Sequence, residues 1–294
     1  MVAGMLTESA VPGVRWTARV LAPWMSDGDA RLVMAGEETD RSLTAVQEEW
    51  LAGARARVRL RSAGIDQSDL IRPLPPEMGS YLARMESHPE SRWYLSKGFV
   101  PALADLSRVC TFQSKIFTEH AGNHVADVDV DDVLAMAEVT MPLGTPPVVA
   151  PQFDQDTQTF TTDLANYNLR VVGAFGGLAD DDDHPGTYNV GFQVRVIASF
   201  VQVVSIQGRY FIRDGYHRSV GLVQRGARYV PVLVRDNLGL GDIDLQGMLP
   251  YEVFTGERPP LLPDFLDDGV SCTVRLTAAR RVVIVQASEI SISG

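Results

Sequence analysis

The spacing of apolar residues changes part-way along the chain. In RSLTAVQEEWLAGARARVRL (41–60), Leu43, Val46, Trp50 and Leu51 recur every three or four residues, which predicts an amphipathic helix. The prolines of IRPLPPEMG break this pattern, and SYLARMESH resumes it as a short helix. FVPALADLSRVCTFQSKIFTEH (99–120) reads as the strongest helix of this half. Leu103, Leu106, Cys110 and Phe117 fall near one face, and Pro101 suits a first turn. VDDVLAMAEVT follows with acids at its start, where they complement the helix dipole. Residues 1–40 show weak periodicity and read as a loose lead-in.

PLGTPPVVAPQF (142–153) carries four prolines and reads as a linker. Beyond it the texture is that of strands: NLRVVGAF, FQVRVIASFVQVVSI, RYFIRD, YVPVLVRD, SCTVRLT and RRVVIVQAS are rich in β-branched and aromatic residues. The expected class is therefore α+β. A mainly helical region, 1–145, precedes an α+β domain, 146–294, that ends in a C-terminal β-hairpin. There are no internal repeats.

Chemistry concentrates between residues 199 and 236. SFVQVVSI and RYFIRD read as a hairpin turning at Gln207-Gly208, HRSVGLVQR as a helix of about two turns stopped by Gly226, and RYVPVLVRD as a further strand. The corner between second strand and helix is Asp214-Gly215-Tyr216-His217-Arg218-Ser219. A helix start presents unpaired N–H groups and favours an anion, and Gly215 lets backbone and ligand come close. Arg218 offers a planar fork for phosphate oxygens, and His217 a donor or a proton acceptor near neutral pH. The same spacing also fits a purely structural corner, with Arg218 paired to Asp214 and His217 capping a buried group.

Charge sharpens this picture. Residues 201–236 hold six Arg and two Asp, a local net of +4, in a chain whose formal charge is −11. The global acidity disfavours extended nucleic-acid binding, and the local contrast suits a small anion. Cys110 and Cys272 are isolated in sequence, which excludes a disulfide framework and predicts reduced thiols. The N-terminus lacks the basic-then-apolar pattern of a signal peptide, and no apolar run nears the ~18 residues of a membrane span. A cytoplasmic protein is expected.

The run VQVVSIQGRYFIRDGYHRSVGLVQRGARYVPVLVRD resembles the core of the ParB/sulfiredoxin-like superfamily, in which a strand, a G-x-H-R motif, a helix, a Gly and a (I/V)PV strand follow in order. The matching pieces are Gly215-Tyr216-His217-Arg218, Gly226 and Val230-Pro231-Val232, about 40 of the 294 residues. The resemblance implies a bound nucleoside triphosphate with its phosphates at the helix start. Gly215, Tyr216, His217, Arg218 and Ser219 would line that site. Mg²⁺ would arrive with the phosphates, with Asp214 as its ligand. Asp214 and His217 would be the groups for any hydrolysis or phosphoryl transfer. Two departures narrow the chemistry. Tyr216 stands where sulfiredoxins carry their catalytic Cys, which removes the thiolate nucleophile. Residues 237–294 show no recognition-helix pattern, which disfavours a partition-type DNA role. A non-catalytic scaffold that keeps the fold is the alternative, with a homo-oligomer or a protein partner engaged through the N-terminal half.

Other motifs read as structural. Asp127, Asp129, Asp131 and Glu138 have calcium-loop spacing, yet Asp132 occupies the position that needs Gly, so an acidic helix start is expected. Asp180–Asp183 with His184 read as a solvated loop. Arg55, Arg57, Arg59 and Arg61 read as a solvated helix face paired with Glu48 and Glu49. His120 and His124 have metal-ligand spacing, but Gly122 and Asn123 between them are expected to end the helix. The tryptophans read as core anchors.

Overall fold

The computed structural model describes residues 15–36, 42–145, 148, 150–157, 159–164, 168–178, 186–239, 248–277 and 281–286. In chain order its elements are β1 (Arg15–Val20), α1 (Asp27–Met34), α2 (Ala45–Leu60), β2 (Ile71–Arg72), α3 (Gly79–Ser87), α4 (Pro89–Ser96), β3 (Val100–Asp105), β4 (Cys110–Thr111), β5 (Lys115–Phe117), α5 (Thr118–Val125) and α6 (Val133–Thr140). There follow β6 (Gln152–Asp154), β7 (Thr159–Leu164), β8 (Leu169–Leu178), β9 (Tyr188–Val196), β10 (Gln202–Ile206), β11 (Arg209–Asp214), α7 (Tyr216–Gln224), β12 (Tyr229–Arg235), α8 (Tyr251–Thr255), β13 (Cys272–Thr277) and β14 (Arg281–Gln286). The class is α+β, as the periodicity predicts.

The chain forms two compact units. One comprises Met1–Pro142 with Phe200–Ala278, the other Leu143–Ser199 with Ala279–Gly294. The expected division into consecutive domains at residue 145 is thus corrected: the chain leaves the first unit near that point and returns to it. Hydrogen bonding explains the return, since the Val201 N–H donates to the Thr140 carbonyl at 2.7 Å and closes the first unit around both segments.

The first unit is built on a mixed six-stranded sheet in the order β2-β3-β12-β10-β11-β4. Every residue of β10 is buried, as expected for a strand covered on both faces. The β10–β11 hairpin turns at Gln207 (φ 50°) and Gly208 (φ 76°), the positive-φ pair that a two-residue turn requires. A second sheet, β13-β1-β5, packs Ala18, Val20 and Val274 with Met34 of α1 and Leu51 of α2.

Several expectations are corrected here. Residues 99–120 are not one helix but β3, a 3₁₀ turn, β4, β5 and the start of α5. Burial of Ala102 and Ala104 against the half-buried Pro101 and Leu103 is a two-residue alternation, and β3 satisfies its backbone by pairing with β12, Val100 opposite Val234 through Asp105 opposite Tyr229. The regular structure of the 1–145 region is still mostly helical, in α1–α6, but the region also supplies the five strands β1–β5. Part of the supposed lead-in is β1, the middle strand of its sheet. The C-terminal hairpin does not form: β13 pairs with β1, and β14 with β7 in the other unit. An alternating pattern makes a strand but does not choose its partner.

The acidic helix start expected at α6 forms: Asp132 Oδ1 accepts the N–H groups of Leu134 and Ala135. A capping box of Thr44 and Gln47, not anticipated, opens α2. Arg55 pairs with Asp27 and Arg61 with Asp264, rather than with Glu48 and Glu49, and Glu48 pairs with Arg31. Trp24 is buried with its N–H on the Arg258 carbonyl, whereas Trp93 is largely exposed. The Asp180–Asp183 run with His184 lies outside the described residues. Among the described residues, no helix is long and apolar enough to cross a membrane.

The second unit contains the sheet β14-β7-β6 and the long ribbon β8-β9. Gly191 lies beneath the Phe175 ring, where an added Cβ would come within 2.5 Å of Cζ. A larger residue at this position would displace the ring.

Candidate functional site

The corner forms where the motif predicts it. β11 ends at Asp214, whose Oδ1 accepts the Gly215 N–H at 2.7 Å. Gly215 adopts φ 86°, and a Cβ there would lie 2.6 Å from Val201 Cγ2, so conformation and space both require glycine. α7 begins immediately, and with no side chain at Gly215 its first turn has no side-chain cap.

The side chains, however, turn inward. The Tyr216 hydroxyl is buried and donates to the Ile212 carbonyl at 2.7 Å, and burial drives its pKa far above the usual value. The His217 ring lies parallel to Phe117, and its Nε2 accepts the Phe117 N–H at 3.0 Å. That bond fixes the proton on Nδ1. Burial, then the charges of His120, His124 and Arg218, lower its pKa to about 3. The expected role of His217 as proton acceptor is therefore corrected, since its one lone pair is committed to the backbone, and any donor role falls to its Nδ1–H. Arg218 is 8% exposed and donates from Nη1 to the Val139 carbonyl at 2.8 Å. Burial lowers its pKa, against the stabilising charge of Asp214. Ser219 is fully buried; its N–H donates to the Gly215 carbonyl, and its Oγ has no hydrogen-bond partner.

Beside the Phe99 ring, Arg213 and Arg235 remain half-exposed. Each guanidinium carbon lies 5.9 Å from the centre of the Phe99 ring. Arg213 Nη1 donates to Gln202 Oε1 at 3.0 Å. Tyr94 packs edge-on against Phe99 and hydrogen-bonds Gln202; burial, then the nearby Asp214 charge, raises its pKa. The sequence placed these side chains apart. Tyr94 and Phe99 flank the stretch read as a long helix, and Gln202 lies in an apolar run. Only the pairing of Gln202 with Asp214 across β10–β11 brings the polar residue to the corner.

A second group of rings gathers around His217. α5 crosses α7 at Gly221, where a Cβ would lie 2.5 Å from the Ala121 carbonyl oxygen. This crossing brings His120 against His217, ring centres 4.8 Å apart. Gly122 and Asn123 do not end the helix as expected but lie within α5, so His120 and His124 share a face, with Nε2 atoms 3.0 Å apart. Among the described residues, no group of three or more His, Cys, Asp or Glu side chains is arranged to hold a metal ion. Burial pushes the Cys110 thiol up to about 12 and the Cys272 thiol up to about 11, so neither is a ready nucleophile.

The structure thus defines an α+β protein with a strand–glycine–helix corner beside a histidine cluster. No family model matches the chain, and no curated protein or solved structure matches it significantly.

Proposed function

We propose that the protein binds a small phosphate-bearing ligand, a nucleoside triphosphate by the resemblance to the ParB/sulfiredoxin-like core, at the start of α7. The observation that carries this reading is the start of α7 at Gly215, a left-handed glycine that brings no side chain to cap the first helical turn. Ser219 Oγ, buried without a partner in the same turn, and the local excess of arginine support it. The ligand's phosphates would rest on the backbone amides, and Arg213 and Arg235 would supply the charge expected of His217 and Arg218. Mg²⁺ would neutralise phosphate charge, held by Asp214 and the phosphates together, since one carboxylate makes no cage by itself. Asp214 is the remaining candidate for a general base, and hydrolysis or phosphoryl transfer is the step it would serve.

Titrating ATP, CTP and GTP with Mg²⁺ tests the reading. Wild type should bind at least one of them, and Arg213→Ala should bind it about tenfold more weakly, the loss of one charge-assisted bond. Absence of binding to all three in wild type would overturn it.

A scaffold or assembly role is the second reading. It is favoured by Leu178 and Val190, which are 77% and 79% exposed on the β8–β9 ribbon, with Tyr188 60% exposed beside them. A mass in solution equal to one chain would remove its support.

A further inference from the structure

We propose that His120 and His124 chelate a transition-metal ion of the Zn²⁺, Ni²⁺ or Cu²⁺ type. This proposal is independent of the phosphate reading. The two imidazoles are four residues apart on α5, so both leave the same helix face. Their Nε2 atoms are 3.0 Å apart. In a tetrahedral site with metal–nitrogen bonds of about 2.0–2.1 Å, neighbouring ligand nitrogens lie about 3.3 Å apart. Opening the pair by a few tenths of an ångström would reach that separation.

The ring of His120 is held from two sides. Trp16 of β1 stacks on it at 5.5 Å and 25°, and His217 of α7 meets it edge-on at 4.8 Å. His217 is in turn pinned through Nε2 by the Phe117 N–H, so it is a wall of the site and not a ligand. Walls from β1 and α7, the latter pinned by β5, hold the His120 ring in position, the task that outer-shell partners perform in metal sites. His124 is exposed, which leaves a path for the ion and room for water or an exogenous ligand at the remaining positions. Imidazole nitrogen selects zinc, nickel or copper over magnesium or calcium. The charge of Arg218 reaches His120 and His124 and opposes a cation, so two histidines alone give a modest affinity.

The full chain, stripped of metal with EDTA and freed of the chelator, is titrated with Co²⁺ followed by its visible absorption, and with Zn²⁺ by calorimetry, in the absence of nucleotide. Wild type should bind both ions. His120→Ala and His124→Gln should each weaken binding by at least about tenfold, and His184→Ala should leave it unchanged. His124→Gln alters an exposed side chain, and its circular dichroism checks that the fold is kept. No binding by wild type would overturn the proposal and leave the pair as a hydrogen-bonded couple. Binding that persists undiminished in both variants would also overturn it and assign the metal elsewhere. The outcome is separable from the nucleotide titration, which uses Mg²⁺ and the Arg213 variant.

Discussion

His217 shows how little a residue's identity says about its direction. The motif supplies a histidine at a helix start, and chemistry at neutral pH is the natural expectation. The fold spends its Nε2 on the Phe117 amide and surrounds it with His120, His124 and Arg218. The consequence is thermodynamic. Its folded pKa of about 3 lies below the ordinary value of 6.5, so the unfolded chain takes up the proton first as pH falls. Stability contributed by neutral His217 is complete above pH 6.5 and is lost as pH falls from 6.5 toward 3. His120 and His124 are lowered in the same direction. Urea unfolding across this range should show stability falling by up to about 1.4 kcal/mol per pH unit on account of His217. His217→Gln, whose amide oxygen can accept the same N–H, should flatten the dependence. An unchanged slope in that variant would show that His217 does not carry it.

At the scale of elements, the helices α2, α3, α6 and α7 were legible because their periodicity and caps are local. The 99–120 stretch was misread because Leu103, Leu106 and Cys110 fall at helical spacings by coincidence, while Ala102 and Ala104 alternate as a strand requires. Pairing with β12, more than a hundred residues on, decides between them. The α5–α7 crossing was equally hidden, since it depends on the absence of a side chain at Gly221. Gly221→Ala would gain about 1 kcal/mol of helix propensity. It would also place a Cβ 2.5 Å from the Ala121 carbonyl and 2.8 Å from Val125 Cγ2. Backbone cannot yield as a flexible side chain can, so a net destabilisation of about 1–3 kcal/mol is expected by denaturant unfolding. A neutral or stabilising result would mean that the crossing relaxes freely.

For the whole molecule, the arrangement of units makes its own prediction. The first unit is interrupted between Pro142 and Phe200, yet Thr140 and Val201 are joined there by a 2.7 Å hydrogen bond. None of its strands pairs with a strand of the second unit among the described residues. Replacing 143–199 with a short Gly/Ser linker and ending the chain at 278 should therefore leave a cooperative unfolding transition within a few degrees of the parent. Loss of that transition would show that the first unit depends on the second.

The sequence by itself determined the α+β class, the helices α2, α3, α6 and α7, the strands from β8 to β14, the linker-like exit near residue 142 and the glycine corner before α7. Each is written in neighbouring residues, through periodicity, caps and backbone-permissive positions. Only the tertiary structure decided which strands meet, that Arg15 lies opposite Thr277, that His217 accepts the Phe117 amide, and that Arg218 and Ser219 are buried while Arg213 and Arg235 stay half-exposed. Those outcomes depend on contacts between segments up to some 260 residues apart. A side chain's chemistry follows from what the fold packs around it, and local spacing carries no record of that.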